Sequence, residues 1–166
     1  YQGVLDRFAD PITQGTVTVH RKYSADAAKL FDDRYFDWVY IDGMHTYDAV
    51  AADLRDYLPK VNPDGFICGH DYTNHPVAQR MNFGVIEAVN EFVRQTPCSF
   101  LALTLEPFPS YVLGVDENSE RCREFTALTV HGLPIALQVD GFENRQFSQI
   151  VAEFSDGTKK VISRLD

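Results

Sequence analysis

The chain has 166 residues, 45% of them hydrophobic, which is enough for one ordinary domain with a sizeable core. Its formal net charge is -9, with 24 acidic against 15 basic residues, and this argues against a nucleic-acid partner because phosphate binding depends on clustered Lys and Arg. No apolar run reaches the roughly eighteen residues that a membrane helix needs, so the sequence predicts no membrane partner.

The cysteines are Cys68, Cys98 and Cys122, an odd number without paired spacing. This usage predicts reduced thiols in a cytoplasmic protein and not a disulfide framework. Cys68 lies inside an apolar run, where a small core residue is the simplest interpretation.

The first part of the chain predicts a helix, a strand and a short helix. Apolar residues at helical spacing place the first helix over residues 1–9, with its end near Pro11. Valines that alternate with polar residues predict a strand at 16–20. Ser24 is the predicted N-cap of a helix over residues 25–31.

The middle of the chain predicts two buried parallel strands with a helix between them. Residues 36–41 form a near-continuous apolar run, which is typical of a parallel strand buried on both faces. Apolar spacing predicts a helix from Thr46 onward, a turn at 63–65, and a second strand at 66–69.

The last part predicts a helix, a hairpin and a set of short strands. After a helix over residues 85–93, the runs at 100–105 and 110–115 are joined by too few residues for a parallel crossover, so they should pair antiparallel. We predict an α/β domain over residues 1–116 and a small β appendage over 117–166. Its candidate strands are 126–130, 135–139, 148–154 and 160–165, the last two joined by an Asp-Gly turn.

Polar residues follow both central strands. Asp42 and His45 come after the first, while His70 and Asp71 close the second. Because ligands bind outside the carboxyl ends of parallel strands, we expect these side chains to be neighbours at one cleft.

Each of these residues has a chemical and a structural interpretation. Asp42 and Asp71 could bind Mg²⁺ through their carboxylates, with Mn²⁺ or iron as alternatives, or they could cap local backbone. His45 could act as a general base or cap the helix, and His70 could act as a base or fill the edge of the core.

Two segments resemble a known family: residues 36–47, FDWVYIDGMHTY, and residues 69–72, GHDY. They are similar to class I S-adenosylmethionine-dependent methyltransferases, in particular the branch of small-molecule and sugar O-methyltransferases. The resemblance covers residues 1–115 and implies a Rossmann-like sheet, in which 36–41 is the fourth strand and 66–69 the fifth. The hairpin that follows would be the antiparallel sixth and seventh strands.

The resemblance also implies roles for individual residues. Ser24, Ala25 and Asp42 would contact the cofactor S-adenosylmethionine, and Asp42 and Asp71 would bind Mg²⁺ in metal-using members. His45 or His70 would deprotonate the hydroxyl group of a small-molecule acceptor.

The family's first two strands, with its glycine-rich loop and ribose-binding acid, have no counterpart in this sequence. In the family's strand order, 3-2-1-4-5-7-6, the missing strands would pair with residues 16–20. We therefore expect the sequence to be the carboxyl-terminal portion of a longer polypeptide, or one whose missing strands come from a partner or another segment. A homo-oligomer is a separate possibility. The alternatives are a non-catalytic methyltransferase-like binding or regulatory module and a metal-dependent hydrolase.

Overall fold

The structure, a computed structural model, describes residues 1–130, 136–139, 141–142 and 145–166. The helices are α1 (Gln2–Arg7), α2 (Ala9–Thr13), α3 (Ser24–Ala28), α4 (Tyr47–Tyr57), α5 (Pro76–Arg80), α6 (Val85–Gln95) and α7 (Glu120–Phe125). The strands are β1 (Phe36–Ile41), β2 (Val61–Gly69), β3 (Ser99–Thr104), β4 (Tyr111–Gly114), β5 (Ala136–Gln138), β6 (Phe147–Glu153) and β7 (Lys159–Leu165).

Five strands form one sheet in the order β1-β2-β4-β3-β5, and β6 and β7 form a separate hairpin. β1 is parallel to β2, and β3, β4 and β5 join by antiparallel pairing. The order β1-β2-β4-β3 is the one expected for the fourth, fifth, seventh and sixth strands of the resembled fold. The predicted mixed α/β sheet with an antiparallel pair after the helix at 85–93 is confirmed, and that helix is α6.

The N-terminal segment departs from three predictions. The helical region does not end near Pro11, because Pro11 sits in the first turn of α2, where a missing N–H costs nothing. Residues 16–20 form no strand; instead the amides of Thr16 and Val17 both bond to the Pro11 carbonyl. Ser24 is the first residue of α3 and not its N-cap, which is Tyr23.

β1 is not buried on both faces as its apolar run predicted. Trp38 and Tyr40, which lie two residues apart and so on the same face of β1, are 59% and 48% exposed, so this face of the strand is open to solvent. Among the described residues β1 pairs only with β2 and is an edge strand. Beside this edge of β1, the resembled fold carries further strands, and in the described part of the chain the edge is unpaired.

β2 begins at Val61 and not at residue 66 as predicted. The turn predicted at residues 63–65 is an irregularity within this strand. Its register against β1 shifts between the Phe36 and Trp38 pairings, and residues 63–65 lie in that shift. A Cβ on Gly65 would come within 2.4 Å of the Asp37 carbonyl oxygen, so the irregularity requires glycine here.

The C-terminal part contributes to the main sheet as well as to the hairpin. β5 pairs with β3, which agrees with the predicted strand at 135–139, although residue 135 lies outside the described residues. The predicted strand at 126–130 is wrong, because this segment continues α7 as a π-helical turn. The hairpin of β6 and β7 is confirmed, and the division at 116/117 stays a prediction.

The core lies where α4 and α6 cover one face of the sheet. Its fully buried members include Leu54, Ile67, Val89, Leu103 and Leu113. Phe147 and Leu165 of the hairpin pack against the same core. Across the described ranges, no helix has the length and apolar character needed to cross a membrane.

The three cysteines form no disulfide, as predicted. Burial raises the pKa of Cys68 to about 11, so its thiol is protonated at neutral pH and is a poor nucleophile.

Candidate functional site

Asp42, His45 and Asp71 meet at the carboxyl ends of β1 and β2. The strands end side by side, with Ile41 opposite Gly69, and the His70 amide donates to the Ile41 carbonyl at 3.1 Å. One ligand atom from each of the three side chains lies within 4.8 Å of the others. The predicted proximity of the two strand ends therefore holds, and these residues form the Asp42/His45/Asp71 cluster.

Asp71 is the buried centre of this cluster, with only 8% of the residue exposed. Its Oδ2 lies 3.1 Å from His45 Nδ1 and its Oδ1 lies 3.3 Å from His70 Nδ1. Each carboxylate oxygen thus faces an imidazole. A buried carboxylate needs such partners, because leaving it unpaired would carry a large desolvation cost.

The backbone of Asp71 adopts a φ of 62°, the left-handed region that non-glycine residues enter rarely. Three hydrogen bonds hold this turn. Besides the bond from His70, the Tyr72 amide donates to the Pro109 carbonyl at 3.0 Å, and the Thr73 amide donates to the Asp71 carbonyl at 2.8 Å. The conformation aims the carboxylate back at His45 instead of continuing the line of β2.

His45 is held by residues that the sequence reasoning missed. Its ring stacks on Phe83 with centroids 4.5 Å apart, and its carbonyl accepts from the Gly84 amide at 2.8 Å. A Cβ on Gly84 would come within 2.6 Å of the Tyr47 backbone nitrogen, so only glycine allows this approach. The glycine directly before a predicted helix was an available signal for a close contact, whereas nothing in the sequence marked Phe83.

The predicted cofactor residues Ser24 and Asp42 line a groove of about 400 Å³ along the open edge of β1, and Asp42 connects this groove to the cluster. Aromatic side chains and carboxylates form its walls. The lining residues include Ser24, Phe36, Trp38, Tyr40, Asp42, Asp53 and Tyr57. Ala25 follows Ser24 on α3 with its side chain exposed.

Asp53 is a half-buried acid in this groove. Burial raises its pKa, and a hydrogen bond from Ser24 opposes that change. Because the folded pKa lies above the unfolded one, the protein gains stability as pH falls through the folded pKa, and the carboxylate is unfavourable above it.

Asp53→Asn is therefore expected to raise the unfolding temperature at pH 7, with a smaller gain at pH 4, since asparagine carries no charge at either pH. Thermal unfolding followed by circular dichroism measures both. Asp48→Asn is the control, because Asp48 is exposed in the first turn of α4 and favours the helix dipole, so this change should give no gain. An equal gain for Asp53→Asn at both pH values would contradict the burial argument.

Residues 3–72 match a family model described as a methyltransferase domain. The matched segment contains β1, β2, the Asp42/His45/Asp71 cluster and the neighbouring His70. This match supports the resemblance to class I methyltransferases, for which S-adenosylmethionine is the expected cofactor. No curated protein matches the chain.

Among solved structures, the chain is similar to a possible exported protein from Bordetella parapertussis, with 15% identity and a TM-score of 0.51, over 68% of this chain and 49% of that one. A SAM-dependent methyltransferase from Methanosarcina mazei matches with 8% identity over 81% of this chain and 59% of that one. Its TM-score of 0.27 is too low to bear on the fold. The chain thus spans about half the length of the Bordetella protein, and that likeness concerns the fold alone.

Proposed function

We propose that this chain serves S-adenosylmethionine-dependent O-methylation of a small-molecule hydroxyl acceptor, with assistance from a divalent cation. The observation that carries the proposal is the convergence of Asp42, His45 and Asp71 at the ends of β1 and β2. It is supported by the methyltransferase-domain match, which covers all three residues.

His45 is the residue best placed to accept the acceptor's proton. Its Nδ1 faces Asp71 Oδ2 at 3.1 Å, an arrangement in which the carboxylate accepts the Nδ1 proton and leaves the Nε2 lone pair free. The Phe83 ring fixes the plane of the imidazole. His70 faces the other oxygen of Asp71, so it is the second candidate base.

The donor set of the cluster suits a divalent cation. The carboxylates of Asp42 and Asp71 fit Mg²⁺ or Mn²⁺, and His45 beside them remains free to act as the base. Asp42 is exposed, which leaves one side of the cluster open to an acceptor. A cation bound by Asp42 and Asp71 would lower the pKa of the acceptor hydroxyl and orient it.

The groove along β1 is the proposed location for part of the cofactor. Trp38, Tyr40 and Tyr57 offer aromatic surface for an adenine ring, and Asp42 and Asp53 complement a positive charge. Bound S-adenosylmethionine would supply a methyl group on a positively charged sulfur. The residues of this chain would orient the acceptor oxygen in line with it and take up the proton.

Calorimetric titration with Mn²⁺, Mg²⁺ and S-adenosylhomocysteine, each alone and in combination, tests the proposal. We expect the cation to bind the wild-type chain and Asp42→Asn to weaken that binding at least about tenfold. Turnover is measured as acceptor-dependent release of S-adenosylhomocysteine from S-adenosylmethionine with a panel of small hydroxyl compounds. If neither cation nor S-adenosylhomocysteine binds, the proposal is wrong and the non-catalytic binding module is the better description.

A further inference from the structure

The hairpin of β6 and β7 contacts the turn that follows Asp71. Phe147 packs edge-on against the ring of Tyr72, with centroids 4.9 Å apart. Gln149, two residues further along β6, reaches Thr73. The two hairpin side chains therefore engage the two residues that come directly after Asp71.

Gln149 bridges two loops through a chain of hydrogen bonds. The His75 amide donates to Thr73 Oγ1 at 3.1 Å, and the Thr73 hydroxyl has two acceptors for its single proton, Gln149 Oε1 at 2.7 Å and the Pro107 carbonyl at 3.0 Å. Gln149 Nε2 then donates to the Pro107 carbonyl at 3.1 Å. The amide uses its acceptor on one loop and its donor on the other, a combination that neither a carboxylate nor an apolar side chain of this length provides.

These contacts bear on the conformation of Asp71. Its left-handed backbone is sparsely populated for non-glycine residues and persists only where surrounding contacts fix it. Thr73 is 5% exposed and its amide closes the turn onto the Asp71 carbonyl, so fixing Thr73 fixes Asp71. The neighbouring residue Tyr72 is held by Phe147 on one side and by a 2.7 Å bond from its hydroxyl to Asn90.

We propose that Gln149, supported by Phe147, is a positioning residue that sets the orientation of the Asp71 carboxylate. The hairpin is thereby part of the functional site although it supplies no side chain to the cluster. What Asp71 does once positioned rests on the proposed function; that Gln149 positions it does not.

The test compares Gln149→Leu with Gln146→Leu in the full chain. The control residue is also a glutamine next to β6, but it is exposed and pairs with Asp166 through its backbone. Hydrogen exchange of the amides of residues 70–73 is the first measurement, because local opening is read there without any ligand. We expect exchange to become about tenfold faster in Gln149→Leu and to remain unchanged in Gln146→Leu, with the amides of α6 unchanged in both.

Mn²⁺ affinity is the second measurement. We expect it to fall about tenfold in Gln149→Leu, as for other residues that orient a metal ligand, and to be unchanged in the control. Thr73→Ser, which keeps the hydroxyl, should behave as wild type, whereas Thr73→Val, which removes the bonds to both Gln149 and Pro107, should have an effect at least as large as that of Gln149→Leu.

Separate results decide the two proposals. Wild-type exchange at residues 70–73 in Gln149→Leu overturns the positioning role, as does an equal effect of Gln146→Leu. A wild-type chain that binds no Mn²⁺ overturns the metal-assisted function, and the exchange comparison still decides the role of Gln149.

Discussion

Asp71→Asn is expected to weaken Mn²⁺ binding by about 100-fold or more, a larger loss than for any other single change in the cluster. Asp71 supplies a buried carboxylate whose oxygens face His45 and His70, and a buried charge attracts a cation more strongly than the exposed charge of Asp42 does. An amide has the same shape but no charge and only one oxygen.

Asparagine is the informative replacement because it enters the left-handed region more readily than most residues do. The turn with φ of 62° should therefore survive, and a loss of binding would report on the carboxylate and not on the backbone. Isothermal titration calorimetry and the electron paramagnetic resonance signal of free Mn²⁺ measure the affinity. Asp32→Asn, at an exposed acid outside the cluster, should bind Mn²⁺ as wild type does. Wild-type affinity in Asp71→Asn would rule out Asp71 as a ligand.

The meeting of Asp42 and Asp71 was predictable because it follows from a local rule applied twice. Asp42 comes directly after one apolar strand and Asp71 two residues after the end of the next, and neighbouring parallel strands end at the same edge of the sheet. His45 follows Asp42 by three residues, so its position followed from the same strand end. The contacts that orient these residues were not predictable, since Phe83 and Gln149 come from distant segments and nothing local marks them.

The errors at residues 16–20, in β1 and at residues 126–130 have a common cause. An apolar or β-branched pattern indicates that a segment can form a strand. A strand also needs a neighbouring strand to pair with, and the pattern does not indicate whether one is present. Residues 16–20 have no strand beside them in the described chain, and the apolar run of β1 stands at an edge with Trp38 and Tyr40 exposed. Residues 126–130 continue the preceding helix α7, and Thr126 Oγ1 donates a hydrogen bond to the Cys122 carbonyl of that helix.

Gly69→Ala is expected to destabilise the fold by about 3 kcal/mol or more, because it overpacks the centre of the sheet. Gly69 pairs with Tyr111 across β2 and β4, and an added Cβ would lie 2.3 Å from Tyr111 Oη and 2.4 Å from its Cζ. Tyr111 is fully buried, so its ring has no free space to enter. The strand must shift instead, and with it the adjoining Asp71 turn.

Urea unfolding followed by circular dichroism measures the loss, with Gly43→Ala as the matched control at the end of β1. There the nearest atom to an added Cβ is Asp53 Oδ2 at 3.8 Å, an ordinary contact, so stability should change little. Tyr111→Phe separates packing from hydrogen bonding: Tyr111 Oη has no hydrogen-bond partner among the described residues, so removing it should not destabilise the protein. If Gly69→Ala is as stable as Gly43→Ala, the Tyr111 ring can move, and the end of β2 is not held rigidly enough to position Asp71.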